Sequence, residues 1–136
     1  MTDFMTPEQR SQHMAKIRSK DTKPELRVRR TLHREGYRYL VHDKRLPGSP
    51  DLVFPSRRKA IFVHGCFWHA HDCPVGLRLP KSNPDFWAEK RARNQERDRE
   101  QVLNLMEQGW NVLIIWECQT KDSEVILAIA QNFLED

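Results

Sequence analysis

Apolar and polar positions along the 136 residues change period several times, and each change marks an element. Thr6-Pro7-Glu8-Gln9 has a capping Thr, a Pro in the first turn and Gln at the capping-box position, so it opens a helix running to about residue 18. Only Met14 and Ile17 are large and apolar after that cap, a stripe too thin to anchor the helix in a core. A second helix starts at Asp21-Thr22-Lys23-Pro24-Glu25 and stops near Gly36. Short apolar runs then predict strands over 37–42, 51–54 and 59–64, with the turn-rich Leu46-Pro47-Gly48-Ser49-Pro50 between the first two. Residues 65–83 read as a long loop, 84–108 as a helix stopped by Gly109, 110–116 as the most apolar strand and 122–134 as a last helix. This order implies an α/β sandwich on a mixed β-sheet flanked by helices, with a basic helical arm over 1–20 ahead of a single domain over 21–136.

Charge sharpens the division. Residues 1–45 hold 12 Lys/Arg against 6 Asp/Glu, and the remainder holds 11 against 13. A basic arm before a near-neutral body is an electrostatic footprint of nucleic-acid binding, although a solvated helix face gives the same count. No apolar run approaches the length of a membrane span and no secretory pattern opens the chain, so a cytoplasmic location is expected. Three cysteines cannot all pair with one another, which favours thiols or metal ligands.

The run Cys66-Phe67-Trp68-His69-Ala70-His71-Asp72-Cys73 crowds soft ligands into a loop with no apolar anchor. Cys118, just past the most apolar strand, is the remaining thiol. Cys66, His71, Cys73 and Cys118 are therefore expected to form a tetrahedral Cys₃His set for a structural Zn²⁺, closed to substrate. The competing explanation is three inert buried cysteines.

Asp51 follows Gly48-Ser49-Pro50 at the start of a strand, and Phe62-Val63-His64 ends the next one. A Pro-Asp followed by a strand-borne acid-x-Lys is a nuclease pattern in which carboxylates hold Mg²⁺. Here Phe62 replaces the second carboxylate and His64 the Lys, so a backbone carbonyl such as that of Val63 is a candidate substitute ligand. His69 is not needed by the zinc set, and its imidazole suits general acid–base work. Glu25 has two readings: a carboxylate orienting such a histidine, or the end of a Thr22-x-x-Glu25 capping box. Asn94 and Asp98 share a helix face and either can reach a strand-end histidine such as His64, though nine of the twelve residues 89–100 are charged and a solvated face is the alternative.

Phe67-Trp68 and Phe86-Trp87 sit in polar or ligand-rich surroundings, where rings can stack on bases or wedge between base steps. Phe86 is expected to be buried, and Trp110 and Trp116 to be ordinary core.

Several spaced motifs carry a resemblance. Leu46-Pro47-Gly48-x-Pro50-Asp51, His64-Gly65-Cys66-Phe67-Trp68-His69, Phe86-Trp87-x-x-Lys90, Asn94-x-x-Arg97-Asp98 and Gly109-Trp110-x-Val112-Leu113-x-x-Trp116-Glu117-Cys118 together resemble the very short patch repair endonucleases. That resemblance implies a restriction-endonuclease-like fold with a structural zinc. The implied activity is a nick 5′ of the thymine in a T:G mismatch left by deamination of 5-methylcytosine. It further implies Asp51 and the Val63 carbonyl as Mg²⁺ ligands and His69 as general base. Glu25 and His64 are its companions, and Asp98 supports His64. Phe67, Trp68 and Trp87 would wedge into the mismatch from one groove, with Met14 clamping from the other and Lys90 and Asn94 in the DNA-binding set. Double-stranded DNA carrying a T:G mismatch is the implied partner, with mismatch-repair proteins as a further class. Ala70, Asp72 and Val63 depart from the family pattern without removing a side-chain ligand. Two alternatives remain from the residues themselves: a homing or restriction-type endonuclease cutting paired duplex, and a non-catalytic zinc-stabilised DNA-binding module.

Overall fold

The computed structural model describes residues 21–136. The expected helix over 6–18, the basic arm of residues 1–20 and Met14 lie outside them. Helix α1 spans Lys23–Arg34, with Thr22 as its N-cap: the Thr22 Oγ1 accepts from the Glu25 N–H at 3.3 Å. His33 and Arg34 in the last turn suit the negative end of the helix dipole. Gly36, at φ +93°, takes the left-handed turn that ends it.

Strands β1 (Leu40–Val41), β2 (Leu52–Phe54), β3 (Lys59–His64) and β4 (Asn111–Trp116) form a mixed sheet in the order β1-β2-β3-β4. The first three are antiparallel, and β4 joins β3 in parallel. A parallel neighbour needs a crossover, which helix α3 (Pro84–Glu107) supplies. The first strand is shorter than the expected 37–42. Tyr37 and Tyr39 turn their rings edge-on to Phe54, and the Tyr39 hydroxyl donates to the Arg29 carbonyl. The expected loop over 65–83 contains one helical turn, α2 (Pro74–Leu77), and helix α4 (Ser123–Leu134) closes the chain behind an Asp122 cap.

Alternation along the strands splits the core in two. Leu52, Phe54, Ile61 and Ile115 face α1 and α4, packing on Val28, Leu32, Ile126 and Leu134. Val53, Ala60 and Phe62 face the other way, onto Leu105 of α3 and Trp110. Each of the fully buried Leu and Ile side chains contributes on the order of 2–5 kcal/mol against truncation to Ala. The architecture is a four-stranded mixed sheet with helices packed on it. Among the described residues no helix is long and apolar enough to cross a membrane.

Candidate active site and metal centre

The hairpin of β2 and β3 brings Asp51 to the sheet end where β3 finishes. Leu52 pairs with Ile61, so the Asp51 carboxylate reaches past Phe62 and its Oδ2 accepts the Val63 N–H at 2.7 Å. Burial pushes the Asp51 carboxyl up to about 8, and the charge of Glu25 adds to this, while the Val63 N–H pulls the other way. Glu25, 2% exposed at the N-terminus of α1, receives the Asp21 N–H on Oε1 and the Arg29 guanidinium on Oε2. The Glu25 question therefore has a double answer. Its backbone is capped by Thr22, and its carboxylate points into the site.

The histidine that Glu25 meets is His42, not His69. His42 Nε2 lies 2.7 Å from Glu25 Oε2 and 3.8 Å from Asp51 Oδ1. Its backbone has φ +49°, and its N–H donates to the Asp51 carbonyl. Sequence reasoning passed over His42. The signal was present in the β1–β2 register, because pairing Val41 with Leu52 sets His42 across from Asp51.

His64 ends β3 opposite Trp116 of β4, and His69 folds back over it. The Asp98 Oδ2 bonds His69 Nδ1 and lies 3.9 Å from His64 Nδ1. The Asp98 carboxylate, one turn beyond Asn94, therefore stands beside both histidines, with its direct bond to His69. Burial holds His64 down at about 3, with the charge of His69 as the next cause. Asp51, Val63, His64, His69 and Asp98 line one cleft of about 520 Å³. Trp68, Lys90 and Asn94 line an adjoining cleft of about 470 Å³, which also includes Val63 and His69. Asn94 reaches no histidine; its Nδ2 donates to the Trp68 carbonyl at 2.9 Å.

Cys66, His71, Cys73 and Cys118 bring one ligand atom each to within 4.8 Å of the others. Cys66 Sγ and Cys118 Sγ stand 3.7 and 3.5 Å from His71 Nδ1. Zn–S and Zn–N bonds of about 2.3 and 2.0–2.1 Å at tetrahedral angles imply ligand separations of about 3.6 Å, so the set fits that ion. Backbone N–H groups of Cys118 and Gly76 donate to the sulfurs of Cys66 and Cys73, which favours thiolates. Burial, with the neighbouring Cys118 and Cys73 thiols, pushes the Cys66 thiol up to about 12 against the pull of the Cys118 N–H, a cost a bound cation would remove. Gly76 is required here, since a Cβ would lie 1.9 Å from the His71 carbonyl oxygen.

Phe67, Trp68 and Trp87 gather with ring centroids 5.1–5.5 Å apart. Arg91, buried beneath them, stacks on Phe67 and donates to the Arg78 carbonyl. Phe86 is 52% exposed rather than buried: α3 turns it outward beside Trp87, where Lys90 faces both rings. Trp116 is also not ordinary core. It stacks on His71 at 4.1 Å and presents an edge to His64, linking the two clusters.

Comparison with known proteins gives the family. Residues 2–75 match the family model described as DNA mismatch endonuclease Vsr. The type II nicking enzyme V.XorIIP of Xanthomonas oryzae pv. oryzae is 47% identical over 99% of this chain and 98% of its own. The type II nicking enzyme V.NmeAIP of Neisseria meningitidis is 46% identical over 92% of this chain and 89% of its own. The DNA mismatch endonuclease Vsr of Escherichia coli is 42% identical over 91% of this chain and 79% of its own. With more than half of its length matched by the family model and relatives this similar along nearly all of it, the chain belongs to the DNA mismatch endonuclease Vsr family.

Proposed function

We propose that this protein is a Mg²⁺-dependent DNA endonuclease, of restriction-endonuclease-like sandwich fold, that nicks 5′ of the thymine in T:G mismatches left by deamination of 5-methylcytosine. The observation that carries it is the meeting of Asp51, His69 and Asp98 in one cleft, with Trp68 of the aromatic cluster lining the cleft that adjoins it. A bare DNA-binding module requires no buried Asp51 beside a carboxylate-held histidine. The names of the relatives, a mismatch endonuclease and nicking enzymes acting on DNA in the first case, support the reaction class.

Asp51 and the Val63 carbonyl would hold Mg²⁺. They fit it because Asp51 is a largely buried carboxylate beside a second acid, Glu25. Bound there, Mg²⁺ would supply charge that polarises the phosphodiester and eases loss of a proton from water. His69, with Nδ1 engaged by Asp98, keeps Nε2 to take the proton of the attacking water, and Asp98 stabilises the resulting imidazolium. His64 stacks beneath and keeps that ring in plane, while Glu25 and His42 buttress Asp51. Zn²⁺ at Cys66, His71, Cys73 and Cys118 would be structural, fastening the loop that carries His69, Phe67 and Trp68 to the end of β4. Trp68 and its neighbours enter the mismatch, and Lys90 and Asn94 meet the DNA from α3.

A strand-specific nicking assay with Mg²⁺ across all mismatches and paired duplex tests the reading. Preferential nicking 5′ of the T in T:G is the expected result. Equal cutting of paired duplex would make the protein a restriction-type nuclease, and absence of any cutting would leave only a DNA-binding module.

A further inference from the structure

We propose that Arg97 grips the phosphodiester to be cut and that Asn94 sets its guanidinium in place. The inference rests on the nuclease reading above and assigns a residue that reading does not use. Arg97 is exposed on α3, immediately before Asp98. Lys44 and Lys90 each border one of the two adjoining clefts, whereas Arg97 lines both, together with Val63 and His69. It therefore stands at the junction of the catalytic cleft and the one reached by Trp68. Among the described residues no carboxylate lies within ion-pair distance of its guanidinium. Its one hydrogen bond runs from Nη2 to the Asn94 Oδ1 at 3.0 Å, so most of its five donors stay available.

The chemistry asks for such a group. Attack on a phosphodiester builds negative charge on the non-bridging oxygens, and a fixed cation aimed there lowers the barrier. In the acid-x-Lys pattern the strand supplies that cation, but His64 occupies the position here. A guanidinium carries a permanent charge on a planar fork that matches two phosphate oxygens. Arg97 brings it from the opposite wall, beside the histidine proposed as the base.

Asn94 gives the arrangement its direction. Its Nδ2 donates to the Trp68 carbonyl and its Oδ1 accepts from Arg97, so one amide joins the aromatic loop to the cation. Placement of the loop against DNA and placement of the guanidinium against phosphate are thereby coupled. Asn94 acts on the reaction through Arg97, as a positioning residue.

Single-turnover nicking of a T:G duplex by saturating full-length protein tests both roles. R97Q should lower the rate about 10²–10³-fold with an unchanged melting temperature, and R97K should recover at least a tenth of the wild-type rate. N94A should be slower than wild type, and the N94A/R97Q double variant no slower than R97Q. The slope of log affinity against log salt, measured without Mg²⁺, should fall by about 1 in R97Q. R97Q nicking within threefold of wild type would overturn the proposal, as would a loss that R97K does not relieve. Wild-type protein that nicks no duplex would overturn the nuclease reading instead. In that event an unchanged salt slope in R97Q would separately remove the phosphate contact.

Discussion

The imidazoles of His64 and His69 lie face to face, with ring centroids 3.8 Å apart and planes 5° from parallel. Two such rings cannot both carry a proton cheaply, and the surroundings choose between them. His64 is 6% exposed and held at about 3, so it stays neutral. His69 has the Asp98 carboxylate on Nδ1, the partner that stabilises a charged ring. On the proposed reading, the buried ring of the stack is the support and the ring bonded to Asp98 is the one that accepts the proton.

Asp98 should then act only through His69. Asp98→Asn is expected to cost roughly 10–100-fold in nicking rate, and His69→Ala about 10²–10⁴-fold, the usual span for general acid–base catalysis. The double variant should be no slower than His69→Ala alone, since the aspartate has nothing left to orient. Multiplying losses in single-turnover rates would show that Asp98 serves another group, such as His64.

Asp51 makes a prediction of the opposite kind, about stability. Folding raises its carboxyl from an ordinary value to about 8, so the native state favours the protonated form. In Mg²⁺-free protein its contribution is complete below about pH 4 and is lost as pH rises toward 8. Asp51→Asn keeps an acceptor for the Val63 N–H and never ionises. It should melt higher than wild type at pH 8, by an amount on the order of 1 kcal/mol or a few degrees, while losing nicking. Added Mg²⁺ should stabilise wild type and leave the variant unmoved. Equal melting curves for the two proteins across pH 5–8 would show that Asp51 is adequately solvated.

The elements were largely legible because their signals are local. The apolar run in 59–64, the one ending at Trp116 and the helix start at Thr22 sit where the sequence pattern puts them. The site was legible in membership and less so in pairing. Asp51, Glu25, His64, His69 and Asp98 are all at one end of the sheet, yet which acid meets which histidine depends on the path of the 65–73 loop. No period governs that path. His42 escaped because a histidine in a turn has no pattern of its own; only the β1–β2 register exposes it. Phe86 and Trp116 were misplaced for a related reason. Ring size argues for burial, but the α3 face and the His71 stack decided the outcome.

The zinc set predicts a specific failure. Cys73→Ala or Cys118→Ala should release the loop from β4 and with it both His69 and Trp68. Wild-type protein should contain one zinc per chain by elemental analysis. Each variant should lose the metal, bind a T:G duplex at least tenfold more weakly and become protease-sensitive within 65–83. Metal-free wild type with full activity would remove the site from the account.

The final prediction separates discrimination from attraction. Phe67, Trp68 and Trp87 touch one another, and Arg91 supports Phe67 from below, so the cluster is braced rather than mobile. Driving such rings into a base step costs a few kcal/mol of unstacking, and less where pairing is already defective. On the proposed reading, a T:G site would be favoured by easier deformation as well as by direct contact. Lysines and arginines, by contrast, meet phosphates that every sequence shares. Trp68→Ala should weaken binding to a T:G duplex much more than binding to its paired counterpart. Removing the charges of Lys16, Arg18 and Lys20 should weaken both about equally and flatten the salt dependence. Equal losses on the two duplexes in Trp68→Ala would make Trp68 a packing residue of the loop and leave mismatch selection to other contacts.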